Sequence, residues 1–210
     1  MLLLGGTSAQ AATRTVCSSG CDHLDIGAAL AAANANDIIE LQEDQVNEGQ
    51  VAITIPLTLR GDDPVNRVII DENINDMVKI SGAEVTLQDL QITSRASGRC
   101  IKLESPGGIA HLDNVRVYNC DNGADGGGLR LHNNTSGTVT NSQFESNHSN
   151  VDGGHIDMDG ISLVVTGSDF TDGTADGDGA AINVSRGTLE VHDSTFTNNA
   201  ATFGAPSTTV

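Results

Sequence analysis

The sequence predicts an all-β fold, a single-stranded right-handed parallel β-helix, because a strand pattern recurs along the chain at a fixed interval. Five short segments end on an apolar residue at positions 92, 117, 144, 170 and 196, in steps of 25, 27, 26 and 26 residues. A second set of short strands keeps the same interval, at residues 78–80, 101–103, 129–131, 156–158 and 182–184. A chain that repeats strands every ~26 residues can coil so that each strand hydrogen-bonds to its copy about 4.8 Å away.

Apolar and polar residues alternate within each strand, which predicts that one set of side chains faces the interior and the other faces solvent. Gly, Asn, Asp and Ser cluster between the strands, where tight turns need them. The apolar residues are mostly Val, Ile, Leu and Ala, with only 4 Phe, 1 Tyr and no Trp. This composition suits β-branched side chains stacked in a narrow interior.

The repeat also predicts which residues stack on one another. Phe144, Phe170 and Phe196 should form an inward ladder that Val117 and Ile92 continue. One turn column should consist of polar residues whose side chains bond to nearby backbone, with Gly167 breaking it. Its members are Asp89, Asn114, Asn141 and Asp193.

A length of 210 residues suits one domain. Residues 1–12 are predicted to be a truncated signal peptide, because a short apolar run leads into Ala9-Gln10-Ala11. Residues 13–36 are predicted as an N-terminal cap with a helix at 24–34, residues 37–200 as the β-helix, and residues 201–210 as a tail or truncated turn that Pro206 ends. No later segment has the ~18 apolar residues of a membrane span. We therefore expect a secreted or cell-surface protein.

The chain carries 28 acidic and 10 basic residues, a formal net charge of −18. This charge repels nucleic acid and anionic lipid, and excludes both as expected partners. It suits solubility, the preferred interpretation, or divalent-cation binding.

The four cysteines are candidates for disulfide bonds in an exported protein. Cys17 and Cys21 are close enough in sequence to close a local loop. Cys100 and Cys120 are 20 residues apart, a spacing that we expect to place them in neighbouring stacked turns. There they form either a second bridge or a pair of buried thiols, and the spacing does not fit a zinc site.

Two groups of motifs resemble known families. The segments VCSSGC (16–21), DIIEL (37–41) and LTLRG (57–61), with the Ala-rich helix, resemble the start of pectin-lyase-like right-handed β-helices. From residue 126 onward the repeats resemble the polymorphic outer-membrane protein repeat of chlamydial-type surface proteins, which pairs Phe-x-x-Asn with Gly-Gly-(Ala/Leu)-Ile. FESN (144–147), GGHI (153–156) and FTNN (196–199) carry that resemblance, GGGL (126–129) and GAAI (179–182) match loosely, and FTDG (170–173) departs from it. Both resemblances imply a solenoid, and the repeat motifs identify its turns rather than a reaction.

The outward residues of the second strand set form the main candidate ligand face. They are Lys79, Lys102, Arg130, Asp157 and Asn183, with His132 and His155 beside them. A groove of this kind could bind an acidic polysaccharide, and a His or Arg could act as a base. The resemblance to β-helix lyases implies that catalysis would use such a face, usually with a carboxylate-bound Ca²⁺. The simpler interpretation, which we prefer, is that the cations are ordinary solvated positions on an acidic surface.

A second candidate site is the acidic run SDFTDGTADGDG. Its carboxylates could bind Ca²⁺, the only cofactor the sequence suggests, because carboxylate and carbonyl oxygens are the ligands Ca²⁺ prefers. Asp and Gly are also the residues that tight turns require, and the spacing matches neither an EF-hand nor the nonapeptide calcium repeat. The candidate ligands are Asp169, Asp172, Asp176 and Asp178.

Three functional hypotheses follow from these observations. The leading one is a non-catalytic extracellular module for adhesion or carbohydrate contact. The second is a polysaccharide lyase or glycoside hydrolase that acts on an acidic polysaccharide through Lys102, Arg130, His155 and Asp157. The third is a structural fragment of a longer repeat protein.

Overall fold

A computed structural model of the chain describes residues 10–46, 49–72, 74–94 and 98–203. The described residues form a right-handed parallel β-solenoid of about seven turns, with about 26 residues in each turn. The predicted fold class is therefore confirmed. The predicted signal peptide lies outside the described residues as far as residue 9, and so do Pro206 and the rest of 204–210.

The solenoid contains one described helix, α1, and short strands that are numbered here in chain order. The helix spans Ile26–Ala32. The strands are β1 (Thr13–Val16), β2 (Ile38–Leu41), β3 (Gln45–Val46), β4 (Val51–Ile53), β5 (Leu57–Gly61), β6 (Val68–Glu72), β7 (Val78–Ser81), β8 (Glu84–Gln88), β9 (Leu90–Ser94), β10 (Ile101–Glu104), β11 (Ile109–Asp113), β12 (Arg116–Tyr118), β13 (Asp121–Asn122), β14 (Leu129–Leu131), β15 (Ser136–Thr140), β16 (Gln143–Glu145), β17 (His148–Ser149), β18 (Ile156–Met158), β19 (Ser162–Thr166), β20 (Asp169–Thr171), β21 (Thr174–Ala175), β22 (Ile182–Val184), β23 (Thr188–His192), β24 (Thr195–Thr197) and β25 (Ala200–Ala201).

These strands form four parallel sheets that run along the stack. Sheet A contains β1, β2, β5, β8, β11, β15, β19 and β23 in that order. Sheet B runs from β3 through β6, β9, β12, β16 and β20 to β24, and sheet C from β4 through β7, β10, β14 and β18 to β22. Sheet D is the short sheet of β13, β17, β21 and β25. Each strand pairs with its equivalent one turn away, so a residue's neighbours in the stack can be read directly from the repeat.

The interior of sheet B contains the predicted apolar ladder. Ile92, Val117, Phe144, Phe170 and Phe196 are direct register partners in successive turns. The ring of Phe170 is stacked between two others, with centroids 5.1 Å from Phe144 and 4.9 Å from Phe196. Offset-stacked rings at these distances add to the stability that burial alone provides.

Backbone geometry explains why the turn column between sheets A and B consists of Asn and Asp. Asp89, Asn114, Asn141 and Asp193 all have positive φ, between 49° and 55°. Asn and Asp enter this left-handed region more readily than other side chains. Gly167 has φ 59° in the same column. Gly167 therefore interrupts the polar side chains of the column, as expected, while the backbone conformation continues through it, because glycine adopts this conformation readily.

Near the N-terminus, the helix is shorter than predicted and is preceded by a strand. Asp25 caps α1, and its Oδ1 accepts the backbone N–H of Ala28 at 2.5 Å. Ile26 and Ala29 are buried, and α1 contacts β1, β2 and β4. Since β1 pairs with β2, sheet A begins inside the region that the sequence predicts as the cap.

Two disulfides join the cysteines, Cys17 to Cys21 and Cys100 to Cys120. From the spacing we expected the second bridge to connect neighbouring turns, but it does not. Cys100 precedes β10 and Cys120 follows β12, so both belong to one turn, whose next copy starts at β14. The bridge therefore crosses a corner within a turn. A separation of 20 residues is less than one repeat, and this is why the expected placement is wrong.

We predict that Phe170→Ala lowers the free energy of unfolding by about 3–5 kcal/mol, the usual range for removing a buried phenylalanine ring. Phe170 is fully buried between two rings. Urea unfolding followed by circular dichroism measures the change. Phe203→Ala is the matched control, because Phe203 is 67% exposed, and it should change stability by less than about 0.5 kcal/mol. Equal effects of the two substitutions would contradict the ladder.

Candidate functional site

The outward face of sheet C brings the predicted ligand column together. Successive register pairs place Lys79, Lys102, Arg130, Asp157 and Asn183 directly above one another. This alignment follows from the alternation within each strand, because these residues lie between two inward apolar residues. The sequence pattern thus predicts the column, but it does not predict the partners of its charges.

Both lysines of the column are neutralised by carboxylates of the same chain. Lys79 Nζ lies 2.8 Å from Glu104 Oε2, and Lys102 Nζ lies 2.8 Å from Glu104 Oε1. Lys102 also reaches Asp76 Oδ2 at 3.1 Å. The two lysines hold the pKa of Glu104 below its usual value through hydrogen bonds and charge, so this carboxylate stays ionised. Neither ammonium group is left to bind an external anion unopposed.

Arg130 is paired in a similar way. Its Nη1 lies 2.6 Å from Asp125 Oδ2, and its Nε lies 3.5 Å from Asp157 Oδ2. Asp157 is only 3% exposed, and Asn183 Nδ2 donates a hydrogen bond of 2.9 Å to its Oδ1. Burial raises the pKa of Asp157 from its usual value, because the charged form loses hydration. The lower half of the column is therefore a chain of contacts from Asp125 to Asn183.

Arg99 supports this face from beneath, and the sequence analysis did not identify it. Its side chain is buried, its Nη1 lies 2.5 Å from Asp76 Oδ1, and it donates to the backbone oxygens of Asp125 and Gly126. Burial lowers the pKa of Arg99, yet an arginine keeps its charge at any physiological pH. Arg99 thus holds in place both Asp76, which pairs with Lys102, and the backbone of Asp125, which pairs with Arg130. An arginine two residues before a strand of the repeat was the available signal.

His132 lies beside the column, in the turn after β14. It is half-buried and lines a cleft of about 280 Å³ with Lys102, Glu104 and Ser105. This cleft is therefore bordered by a histidine and by a lysine that is paired with Glu104.

His155 does not lie on the outward face, contrary to the sequence-based expectation. It is fully buried, between the rings of Phe144 and Phe170, with ring centroids 6.1 and 5.9 Å away. The alternation that predicts outward residues applies only within a strand, and His155 precedes β18. Its position at the corner turns the ring into the interior. His155 therefore cannot act on a substrate bound to sheet C.

Two asparagines hold the neutral His155 ring in one tautomer. Asn147 Nδ2 lies 2.9 Å from Nδ1 of His155, and Asn199 Oδ1 lies 3.0 Å from Nε2. Asn147 also accepts from Cys120 N and donates to Val117 O. These bonds fix its amide, so Nδ1 of His155 must be the acceptor and Nε2–H the donor. Burial lowers the pKa of His155 from 6.5 to about 4, and the ring is neutral.

The unusual residues of this turn compensate one another. Gly173 stands where the equivalent positions one turn away are Asn147 and Asn199. A Cβ at Gly173 would lie 2.5 Å from His155 Nε2. The departure of FTDG from Phe-x-x-Asn and the His in GGHI therefore belong to one adjustment, in which glycine makes room for the imidazole.

The four candidate calcium ligands occupy turn and strand positions along one turn. Asp169 begins β20 and accepts a hydrogen bond from the Thr195 hydroxyl, and Asp172 has a left-handed φ of 57°. The backbone N–H of Asp176 donates to Ser149 O, and that of Asp178 to Asp152 Oδ1. Within the residues that the structure describes, no three His, Cys, Asp or Glu side chains gather as a metal-binding group.

Comparisons of the chain with protein-family models, with curated proteins and with solved structures give no match. The parallel β-solenoid is established by the structure itself. The resemblances to pectin-lyase-like helices and to chlamydial-type repeats stay predictions from motifs. In the described part of the chain, the helix is too short to cross a bilayer.

We predict that His155 makes stability fall with acidification between pH 6.5 and about 4. The unfolded chain binds a proton at this histidine below pH 6.5, whereas the folded chain does so only near pH 4. Stability from this group is therefore complete above pH 6.5 and declines by about 3 kcal/mol towards pH 4, with about 2 kcal/mol of it lost by pH 5. Urea unfolding at a series of pH values measures the slope.

His155→Gln should be less stable at pH 7, and it should lose this component of the slope between pH 6.5 and 4. His192→Gln is the control, because His192 is 57% exposed at its side chain and should keep the wild-type slope. An unchanged slope in His155→Gln would show that another group causes the acid sensitivity.

Proposed function

We propose that this chain is a non-catalytic β-solenoid module, secreted or at a cell surface, that contacts carbohydrate through its outer faces. The observation that carries this proposal is the state of the candidate catalytic column. Lys79, Lys102 and Arg130 are paired with carboxylates of their own chain, and His155 is buried and neutral. A general base must reach a substrate proton at about hydrogen-bond distance.

The remaining candidates in the column do not supply a base either. Asp157 is only 3% exposed, and both of its oxygens already face Arg130 or Asn183. Removing any of these groups from its partner to act on a substrate would leave a partly buried charge uncompensated. The ion pairs therefore favour a surface that holds its shape over one that takes part in a reaction.

Sheet A supports contact with a polymer. Thr58, Thr86, His111 and Thr138 form one outward column in successive turns, so their polar groups repeat about every 4.8 Å along the stack. His111 lies 3.0 Å from the hydroxyl of Thr138, and its other nitrogen lies 3.0 Å from Glu84. A flat array of hydroxyl and imidazole groups can hydrogen-bond an extended glycan without enclosing it.

The enzyme hypothesis makes the opposite prediction, and the two can be separated in one experiment. Purified protein is screened on a glycan array and, in parallel, for depolymerisation of acidic and neutral polysaccharides with and without Ca²⁺. We expect retention of at least one glycan class and no unsaturated or reducing-end product. Lys102→Met and Arg130→Ala should keep that retention within about twofold, if they remain folded.

Product that appears with wild-type protein and disappears in folded Arg130→Ala would overturn the proposal in favour of a lyase or hydrolase. Blank results on the array and in the depolymerisation screen would instead favour the third hypothesis, a structural fragment of a longer repeat protein. Circular dichroism of each variant provides the control for folding.

A further inference from the structure

One of the connections between a strand of sheet A and the following strand of sheet B is much longer than the others. Strands β8 and β9 are joined by Asp89 alone, and the next four corners contain two residues each. Between β5 and β6 the connection is six residues long, 62–67. Because the stack fixes the strands on both sides, the extra residues must leave the cylinder and lie over its surface. Loops on a rigid scaffold are where binding residues most often lie.

This connection, the 62–67 loop, is held in a defined shape. Asp63 accepts the backbone N–H of Val65 at 2.8 Å and the side-chain amide of Asn66 at 2.9 Å. Asn114, two turns further along the stack, donates to the carbonyl of Pro64 at 2.9 Å. Val65 at the tip remains 83% exposed. The loop therefore presents an apolar side chain to solvent from an ordered base.

Arg67, the last residue of the loop, differs from the other cations. Every other described lysine and arginine has a carboxylate oxygen at 2.9 Å or closer. Arg67 has no ion pair with any carboxylate in the described ranges, and its guanidinium contacts only neutral oxygens. Nη1 donates to Asn114 Oδ1 at 3.1 Å and Nη2 to Gln143 Oε1 at 3.2 Å.

The charge of Asp89 in the next turn acts on Arg67 from beyond ion-pair distance. A guanidinium without an ion pair among the described residues is unexpected on a chain with 28 acidic and 10 basic residues. Its remaining N–H groups, including that of Nε, have no acceptor among the described residues, so they can donate to a ligand. Three carboxylates of the turns further along the stack are bonded elsewhere. Asp89 accepts from Asn114 at 2.7 Å, Glu145 pairs with Arg116 at 2.5 Å, and Asp169 accepts from a threonine hydroxyl.

The outer face of sheet B continues this surface. Arg116 lies over the ring of Tyr118, the only tyrosine of the chain, at 4.2 Å from the centroid. Gln91 accepts from Arg116 at 3.1 Å and donates to the carbonyl of Arg67 at 3.0 Å. A cleft of about 250 Å³ lies next to Gln143 and is lined also by Glu145, Asp169, Phe144 and Thr171.

We propose that the 62–67 loop and the adjoining face of sheet B form a glycan-binding site in which Arg67 binds a carboxylate of an acidic polysaccharide. The inference rests on the carbohydrate contact proposed above and assigns it to a face other than sheet C. The planar guanidinium fork matches carboxylate geometry. Val65 offers apolar contact to the adjacent sugar ring, and the Gln143 amide is within reach of its hydroxyl groups.

The test measures binding of three oligosaccharides by isothermal titration calorimetry. They are an alginate oligouronate, a dextran sulfate oligomer and neutral dextran. We expect the oligouronate to bind most tightly, with an affinity that falls as salt is added, because the contact is between opposite charges. Arg67→Gln should weaken oligouronate binding at least about tenfold, within the range for losing a hydrogen bond to a charged group.

Arg186→Gln is the matched control, because it removes the same charge from an exposed arginine that pairs with Asp159 in another part of the stack. It should change the affinity by less than twofold. Val65→Ser tests the loop without altering charge and should weaken binding severalfold. Arg67→Lys should recover part of the affinity, because it restores the charge without the planar fork.

Two outcomes would overturn the proposed site. One leaves the proposed carbohydrate contact intact, and the other overturns that function as well. If wild-type protein binds the oligouronate and Arg67→Gln binds equally well, carbohydrate contact stands and its location is wrong. If wild-type protein binds none of the three oligosaccharides and no glycan on the array, the proposed function fails together with the site. Tighter binding of dextran sulfate than of the oligouronate would replace carboxylate by sulfate as the recognised group.

Discussion

Parallel ladders hold each turn of this solenoid in register with the turns before and after it, and most other features depend on that register. A residue's packing partners are the equivalents of itself, as the stacked rings of Phe144, Phe170 and Phe196 illustrate. One apolar position therefore contributes to two interfaces. A substitution is tolerated only where the turn above or below adjusts to it, because the strand spacing cannot change.

The two columns that flank sheet D, one at its corner with sheet B and the other at its corner with sheet C, show how such adjustments are distributed. In each layer, a bulky group of one column lies opposite a small residue of the other, or a covalent bridge joins the two columns. The Cys100–Cys120 disulfide fills the first layer, and Asn147, His155 and Asn199 fill the next three opposite Gly128, Gly173 and Ala181. The layers are linked, because both asparagines hydrogen-bond to His155. A sulfur bridge is thus followed by a polar network across the same two columns.

The repeat predicts the strands, their register and the sheet C column, because all of these follow from spacing and alternation. It cannot predict the partners of Lys79 and Lys102, because Asp76 lies outside the repeated strands and Glu104 depends on side-chain conformation. The inward turn of His155 was also missed, since alternation stops at a strand end. A sequence signal did exist. The histidine and the exceptional Gly173 occur in the same turn, and paired exceptions indicate contact.

The distribution of charge separates the repeated positions from the inserted ones. A cation within a strand has outward neighbours on the turns above and below it, and in this acidic chain a carboxylate reaches each such cation, as for Arg130 between Asp125 and Asp157. Stacking therefore tends to neutralise the regular faces. Arg67, at the end of the inserted loop, lies in register with Asp89 of the next turn, but Asn114 donates to that carboxylate, and Arg67 forms no ion pair among the described residues. On a solenoid of this composition, recognition of an anion is more readily built on an insertion than on the repeat.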